Sequence, residues 1–185
     1  MNGQINNGVW VQVERTKGKT VLGTKTLFKR KIGKDGQIGK YTCRFVTRGF
    51  RQVKGLHYHE SSSPIPTASS MRAVLATAAV KDWELRHIDV EQAYLQADTD
   101  EGIYIELPED YRAFPNPVGL LRKAIYRLVQ SGLCWVRKLT EGINEKGFEQ
   151  SRPDPCVFRR IVDGEVVTVI VVCRRQTAGE QSEGG

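Results

Sequence analysis

The sequence has few cysteines and histidines, and they do not cluster. The four cysteines, Cys43, Cys134, Cys156 and Cys173, include no Cys-x-x-Cys pair, and the three histidines complete no zinc-binding pattern. Scattered single cysteines indicate a reducing compartment rather than a disulfide scaffold. We therefore expect thiols that pack as small apolar side chains, and neither a zinc centre nor a disulfide framework.

Long apolar runs are also lacking. The longest extends over residues 166–173 and is interrupted by Thr168, well short of the roughly 20 residues that a membrane helix needs. The N-terminus carries no apolar signal segment. We therefore expect no membrane partner and a location in the cytoplasm or nucleus. Residues 1–8 are predicted to be flexible, and the Gly-, Ser- and Glu-rich residues 176–185 to be disordered.

Positive charge is in excess. Among 185 residues, 28 Lys and Arg stand against 21 Asp and Glu, which gives a net charge of +7 and a pI near 9.3. Such an excess is typical of proteins that bind nucleic acid, although many basic proteins bind none. Hydrophobic residues make up 39%, enough for a buried core.

The predicted elements begin with strands and turns. Alternating apolar residues predict a strand over residues 9–13, a second over 21–31, and a returning strand over 41–47. Lys34-Asp35-Gly36 predicts the turn of a hairpin, because Asp-Gly supplies the positive φ of a tight turn. Basic residues lie along the second strand, so we expect a basic β-ribbon.

Helices and a second hairpin are predicted further along. An apolar face formed by Met71, Val74, Leu75 and Ala78 predicts a helix over residues 71–81, capped by Ser69-Ser70. The remaining predicted elements are a strand over 85–90, helical structure over 119–147 with a break at 131–132, and a hairpin of strands 156–161 and 166–173. This order predicts an α+β fold with an antiparallel sheet and packed helices.

Several segments, in this order and spacing, resemble the reverse transcriptase of copia-type long-terminal-repeat retrotransposons. Residues 87–95 read His-Ile-Asp-Val-Glu-Gln-Ala-Tyr-Leu, similar to the family pattern Q-L-D-V-x-x-A-F-L, and residues 125–130 read Ile-Tyr-Arg-Leu-Val-Gln, similar to L-Y-G-L-K-Q. Further matching segments are residues 21–25, 28–31, 40–52, 55–58, 63–64, 103–108, 147–148 and 154–158. The resemblance implies one unit over residues 9–175: the fingers and the N-terminal part of the palm of a right-hand polymerase.

The resemblance also implies a chemistry. In this family a primer hydroxyl displaces pyrophosphate from a nucleotide with two Mg²⁺ ions, which prefer carboxylate oxygens. Asp89 is the expected metal ligand and catalytic carboxylate, with a surface aspartate at a strand end as the alternative. The expected partners are an RNA template, a DNA primer and a deoxynucleoside triphosphate.

Nucleotide contacts are implied for three residues. The resemblance places Tyr94 where an aromatic ring crowds the sugar 2′ position, with an ordinary core aromatic as the alternative. It places Gln130 against the incoming nucleotide. Arg44 lies in the fingers segment, and its planar fork of donors suits triphosphate oxygens, although a solvated strand face explains it equally well.

A contact with the nucleic-acid backbone is expected along the ribbon. Lys25, Lys29, Lys31 and Arg48 form a plausible phosphate-binding patch of the sequence-independent kind. The alternative is a charged ribbon that faces only water.

The sequence departs from the family at the segment that should carry two of the metal-binding aspartates. Where the family has Tyr-Val-Asp-Asp, this chain has Val172-Cys173-Arg174-Arg175, so both metal-binding aspartates are arginines. Arg127 also stands where the family has glycine. Together with the expected lack of the thumb, connection and RNase H parts, this predicts a chain without polymerase activity that does not bind Mg²⁺ productively.

Three hypotheses follow from the sequence. The chain is an inactive reverse-transcriptase fragment, or a non-enzymatic remnant that binds nucleic acid through its basic ribbon, or a polymerase that another chain completes with the missing aspartates.

Overall fold

The structure is a computed structural model, and it describes residues 8–33, 36–99 and 102–173. The predicted flexible segment up to residue 7, the Lys34-Asp35 part of the turn, the arginine pair and the predicted tail lie outside the described residues. Two helices and nine strands are described. They are β1 Trp10–Glu14, β2 Val21–Leu22, β3 Thr24–Ile32, β4 Ile38–Thr47, α1 Ala68–Val80, β5 Tyr104–Glu106, β6 Pro117–Leu121, α2 Ser131–Glu145, β7 Glu149–Gln150, β8 Val157–Val162 and β9 Glu165–Ile170.

A four-stranded sheet with the order β1-β6-β5-β2 carries the main core. The β1–β6 and β5–β6 pairs are antiparallel, and β2 pairs with β5 in parallel. Apolar side chains of β2, β5 and β6, namely Leu22, Ile105 and Leu121, are buried in one cluster, and Trp10 of β1 packs against it partly buried. At 25 cal/mol per Å², burying each such side chain contributes about 1.5–3 kcal/mol before entropy is counted.

Close packing explains a glycine in the middle of this sheet. A Cβ on Gly119 would lie 2.8 Å from Leu107 Cδ2 and 2.9 Å from Ile105 Cγ1. A side chain at this position of β6 would force Leu107 and Ile105 to move, because the apolar groups of the core already fill the space.

The predicted basic ribbon is confirmed, with one correction. The strands β3 and β4 pair antiparallel from Thr24↔Thr47 to Ile32↔Ile38. The prediction of a single strand over residues 21–31 is wrong, because the strand is interrupted at Gly23. The first part, β2, belongs to the four-stranded sheet, and β3 belongs to the ribbon. Gly36 has φ +75°, the left-handed conformation that the turn prediction required.

The helix α1 was predicted correctly in its position but not in its cap. Its N-cap is Thr67, whose Oγ1 accepts a hydrogen bond of 3.1 Å from the backbone N–H of Ser70. The predicted cap at Ser69-Ser70 lies inside the first turn. Of the predicted apolar face, only Ala78 is buried, while Leu75 is half exposed.

The strand predicted over residues 85–90 is wrong. The segment has no regular secondary structure, and Leu85 and Ile88 are 64% and 81% exposed. The apolar alternation suits a strand, but a strand also needs a neighbour to accept and donate backbone hydrogen bonds. Within the described ranges no strand pairs with this segment.

The predicted helix over residues 119–147 is shorter than expected. Its first part is β6 and the turn that follows, and α2 begins at Ser131, where the break was expected. The helix ends at Glu145, Lys146 is its C-cap, and Gly147 then adopts φ +79°, the usual left-handed stop of a helix.

The second hairpin is confirmed with slightly different bounds. In the three-stranded sheet β7-β8-β9, the strands β8 and β9 pair antiparallel from Val157↔Ile170 to Val162↔Glu165. Asp163 and Gly164 have φ of 52° and 82°, which is typical of a type I′ turn. The α+β fold class is therefore confirmed, with β2–β5 as a parallel exception. Neither helix in the described ranges is long and apolar enough to span a membrane.

Candidate nucleotide and nucleic-acid site

Arg44 lies on β4 opposite Leu27 and is exposed. Its guanidinium carbon is 5.5 Å from the centroid of the Tyr126 ring. This distance is typical of a cation–π contact, which connects strand β4 of the ribbon to the turn that precedes α2. The Arg44 side chain is exposed, so solvent and an anion can reach it.

Tyr94 lies in a 3₁₀ turn, Ala93–Gln96, and is only 8% exposed. Its ring packs edge-on against Tyr126, with centroids 5.1 Å apart and planes at 76°. Burial, and after it the neighbouring Cys173, together raise the pKa of Tyr94 to about 12. Tyr126 thus lies between two residues that the sequence singled out, Arg44 and Tyr94.

Gln130 precedes α2 and is 2% exposed. Its Nε2 donates a 3.0 Å hydrogen bond to the His57 carbonyl, and its Oε1 accepts a 2.9 Å bond from Gln52 Nε2. Gln52 Oε1 in turn accepts a 2.8 Å bond from the Val129 N–H. The amide of Gln130 joins the loop after the ribbon to the start of α2, so a nucleotide would have to replace these partners to reach it.

Asp89 lies in the irregular segment before the 3₁₀ turn and is exposed. In the part of the chain that the structure describes, no three or more His, Cys, Asp or Glu side chains form a group that could hold a metal ion. The partner positions, Arg174 and Arg175, lie outside the described residues. Arginine offers only N–H donors and no oxygen, so these residues do not fit a two-Mg²⁺ site.

The expected phosphate contacts all belong to the ribbon or its base. Lys25, Lys29 and Arg48 are exposed. Since side chains alternate along a strand, Lys25 and Lys29 lie on the same face as Leu27 and its cross-strand partner Arg44. The side chain of Lys31 lies outside the described part. Lys25, Lys29 and Arg44 therefore share one face of the ribbon, where all three could contact the phosphates of one nucleic-acid backbone.

Sequence reasoning gave no role to Asp154, which is 2% exposed. Its carboxylate accepts 2.9 Å hydrogen bonds from the backbone N–H groups of Thr67 and Cys156. These bonds, that of Thr67 first, lower the pKa of Asp154 to about 2. The residue joins the N-terminus of α1 to the start of β8. An Asp-Pro pair before a strand was the signal available, but the partner is 87 residues away.

Comparison with known proteins agrees with the resemblance. The family described as "Reverse transcriptase (RNA-dependent DNA polymerase)" matches residues 7–174. The chain belongs to this reverse transcriptase family. It is 33% identical over 174 residues to the retrovirus-related Pol polyprotein from transposon TNT 1-94 of Nicotiana tabacum, and 34% over 161 residues to that from transposon RE1 of Arabidopsis thaliana. It is 28% identical over 142 residues to the transposon Ty1-BL Gag-Pol polyprotein of Saccharomyces cerevisiae.

These relatives of the reverse transcriptase domain are far longer than this chain. The alignments cover 92%, 85% and 76% of the chain but only 13%, 11% and 8% of the three polyproteins. In these relatives the matched region is therefore one part of a much longer polyprotein. No solved structure matches the chain.

Proposed function

We propose that this chain is a reverse-transcriptase domain of a retrotransposon Pol polyprotein that has no polymerase activity of its own. The observation that carries the proposal is the pair Arg174-Arg175 at the position of the family's two metal-binding aspartates. Asp89 is then the one remaining carboxylate of the expected three, and it lies in an exposed segment without regular structure.

Replacing the two aspartates by arginines reverses the charge at both positions. Each Asp-to-Arg exchange replaces a negative charge with a positive one. Two unit charges about 4 Å apart interact by roughly 4 kcal/mol at an effective dielectric near 20. Attraction to a dication therefore becomes repulsion at two positions, and neither arginine supplies an oxygen ligand.

Nucleotide contacts remain part of the proposal. Arg44 is exposed beside Tyr126 and is the group we expect to meet triphosphate oxygens. Tyr94 and Gln130 are buried, so we expect them to position the residues that contact the nucleotide and not to contact it themselves.

Primer extension on an RNA template with Mg²⁺ tests the absence of activity. The unaltered chain, the double variant Arg174→Asp/Arg175→Asp, and the same variant with Asp89→Asn are compared. We expect no incorporation by the unaltered chain. Incorporation by the unaltered chain would overturn the proposal. If only the double variant incorporates nucleotide, the two arginines are the lesion. If none does, further parts of the polymerase are needed as well.

A polymerase completed by another chain is tested in the same assay. We add a full-length relative whose aspartate equivalent to Asp89 is replaced by Asn, so that it keeps the aspartate pair but is itself inactive. Extension would be restored only if Asp89 of this chain and the aspartate pair of the relative form one site. We expect no restoration.

We propose nucleic-acid binding by the ribbon as a second function. It is supported by the exposed cations Lys25, Lys29 and Arg44 on one face, and by the lack of any acidic residue in β3 or β4. Such a surface neutralises phosphates and releases counterions, independent of sequence.

Salt-dependent binding of a labelled RNA–DNA hybrid tests this second function. We expect a log Kd that rises with log salt, with a slope corresponding to several phosphate contacts. Lys25→Ala and Lys29→Ala together should lower that slope, whereas Lys138→Ala, at an exposed site on α2, should not. No binding at low salt would exclude the function.

A further inference from the structure

The strand β9 is an unprotected edge of the three-stranded sheet. The sheet order is β7-β8-β9, and within the described ranges no strand pairs with the outer side of β9. Its residues read Glu-Val-Val-Thr-Val-Ile and include no Lys, Arg or Pro, whereas the opposite edge strand, β7, has only two residues, both polar. Edge strands are usually short, charged or interrupted by proline, because a long apolar edge is a template for another strand. Apart from Glu165 at its start, β9 has none of these protections.

The backbone of β9 fixes which residues a new strand would meet. Val171 donates a 2.8 Å hydrogen bond to the Cys156 carbonyl of the β8 side. Since the direction of the backbone groups alternates in an antiparallel pair, the odd-numbered residues of β9 face β8. The N–H and C=O groups of Val166, Thr168 and Ile170 therefore point away from the sheet, where another strand can pair with them.

Apolar side chains lie along the same edge. Val166 and Val167, on opposite faces of β9, are 41% and 39% exposed. On β8, Ile161 is the cross-strand partner of Val166 and is 71% exposed. A row of apolar side chains thus crosses the sheet and stops at the open edge, where a further strand would cover it.

A second copy of β9 matches this edge. In an antiparallel pair related by a two-fold axis, residues with outward backbone groups must pair with each other. Thr168 then lies opposite Thr168 of the second copy, and Val166 lies opposite its Ile170. Threonine pairs and pairs of β-branched apolar residues are favourable across strands. The exposed apolar row, Ile161 and Val166, continues into Ile170 of the second copy.

Charge also favours a second copy in the antiparallel direction. Asp163 and Glu165 make the start of the β9 segment acidic, and the sequence continues from residue 173 into Arg174-Arg175. Antiparallel pairing brings the acidic start of one copy to the basic end of the other, whereas parallel pairing would bring like charges together. Two aspartates in place of the arginines would make both ends acidic and would oppose the pairing. An unrelated apolar strand would cover the edge without matching its two charged ends.

We propose that β9 pairs antiparallel with β9 of a second copy of this chain, so that two three-stranded sheets form one continuous sheet across a two-fold axis. The contact uses the same edge on both copies, so it closes at a dimer. A single strand pair is smaller than a standard interface of roughly 1,600 Å². We therefore expect a weak dimer with a Kd in the micromolar range.

Sedimentation velocity of the unaltered chain, from about 1 to 100 μM, tests for this dimer. We expect the dimer fraction to rise with concentration. Val166→Lys places a cation on the edge, the usual protection against strand pairing, and should weaken dimerisation by about tenfold or more. Ile161→Lys is the matched control, because it adds the same charge to the same face but on β8, and it should change the Kd little. Circular dichroism checks the folding of both variants.

Three results of this experiment would overturn the proposal. They are a monomer throughout the concentration range, open-ended aggregates in place of a dimer, and an equal effect of the two lysine variants, including no effect of either.

The register has its own test by cross-linking. Thr168→Cys is oxidised with copper(II)-phenanthroline in a Cys43→Ser background, since Cys43 is exposed. A hydrogen-bonded pair has Cα atoms about 5.5 Å apart, within the range of a disulfide. Arg159→Cys is the control: Arg159 is the β8 partner of Thr168, so its Cα would lie about 14 Å from its equivalent. We expect a covalent dimer only from Thr168→Cys, and equal cross-linking of both variants would overturn the pairing.

Charge reversal tests the antiparallel direction. Glu165→Lys alone, and Arg174→Glu/Arg175→Glu alone, should each weaken the dimer by roughly threefold to tenfold, because like charges then meet at both ends. The chain that carries all three substitutions has complementary ends again, so we expect its Kd to return towards that of the unaltered chain. A combined variant weaker than either parent, or parents of unchanged Kd, would overturn the proposal.

Discussion

The guanidinium carbon of Arg44 lies 5.5 Å from the centroid of the Tyr126 ring. One strand of the basic ribbon is thereby tied to the turn that leads into α2. The same ring meets Tyr94 edge-on at 5.1 Å, so the contact extends from the exposed cation to the buried core. The position of Arg44 therefore depends on a residue to which the sequence gave no role.

Replacing Tyr126 tests this dependence. Tyr126→Leu removes an aromatic pair and a cation–π contact, so we expect a loss of about 1–2 kcal/mol in the free energy of unfolding. Tyr126→Phe keeps the ring and should lose much less. Urea unfolding of both variants, each also combined with Arg44→Met, measures the coupling to Arg44. Equal losses for the Leu and Phe variants would show that the ring faces contribute nothing.

Asp154 makes the free energy of unfolding depend on pH in the acidic range. Its pKa is lowered from 3.8 to about 2 in the folded chain, chiefly by the N–H of Thr67. The folded state therefore binds its proton less readily than the unfolded state, and the stabilisation is full above pH 4 and is lost as the pH falls towards 2. We expect the urea midpoint to drop across this window in the unaltered chain.

The matched pair Asp154→Asn and Asp163→Asn separates this effect from general acid unfolding. Asp154→Asn should be less stable at pH 7 by about 1–3 kcal/mol, because an amide accepts the two N–H bonds less well. Its stability should also vary less between pH 5 and pH 2. Asp163 is exposed in a turn where asparagine is well tolerated. Identical pH profiles for the Asp154 variant and the unaltered chain would contradict the assignment.

The parts of the fold that the sequence predicted are those governed by local patterns. The ribbon and the hairpin of β8 and β9 follow from alternation and from turn residues such as Asp163-Gly164. The strand over residues 85–90 failed because a strand needs a partner, and pairing is not a local property. Burial of Gln130 and the long-range bonds of Asp154 were missed for the same reason: their partners are 73 and 87 residues away.

Gly49 allows no side chain. It is buried, and a Cβ there would lie 1.7 Å from the Arg127 carbonyl oxygen. Because the obstacle is backbone rather than a flexible side chain, we expect Gly49→Ala to cost more than about 3 kcal/mol or to prevent folding. Gly142→Ala is the control, since nothing lies near that Cβ in α2, and it should stabilise the helix by up to about 1 kcal/mol. Thermal unfolding of the two variants checks both signs; a folded Gly49→Ala of unchanged stability would contradict this packing.

Arg127 occupies a backbone conformation that suits glycine, the residue that the resemblance leads us to expect there. Its φ is 70°, in the left-handed region that costs a residue with a side chain roughly 1–2 kcal/mol. Glycine removes that strain but has more freedom in the unfolded chain, an opposing effect of about 0.4–1 kcal/mol. We therefore expect Arg127→Gly to stabilise the domain by up to about 1 kcal/mol. Arg122→Gly is the control: Arg122 is also exposed but not among the residues of positive φ, so the same exchange should destabilise. Chemical unfolding of both variants decides the matter, and destabilisation by Arg127→Gly would mean that the side-chain contacts of Arg127 outweigh its backbone strain.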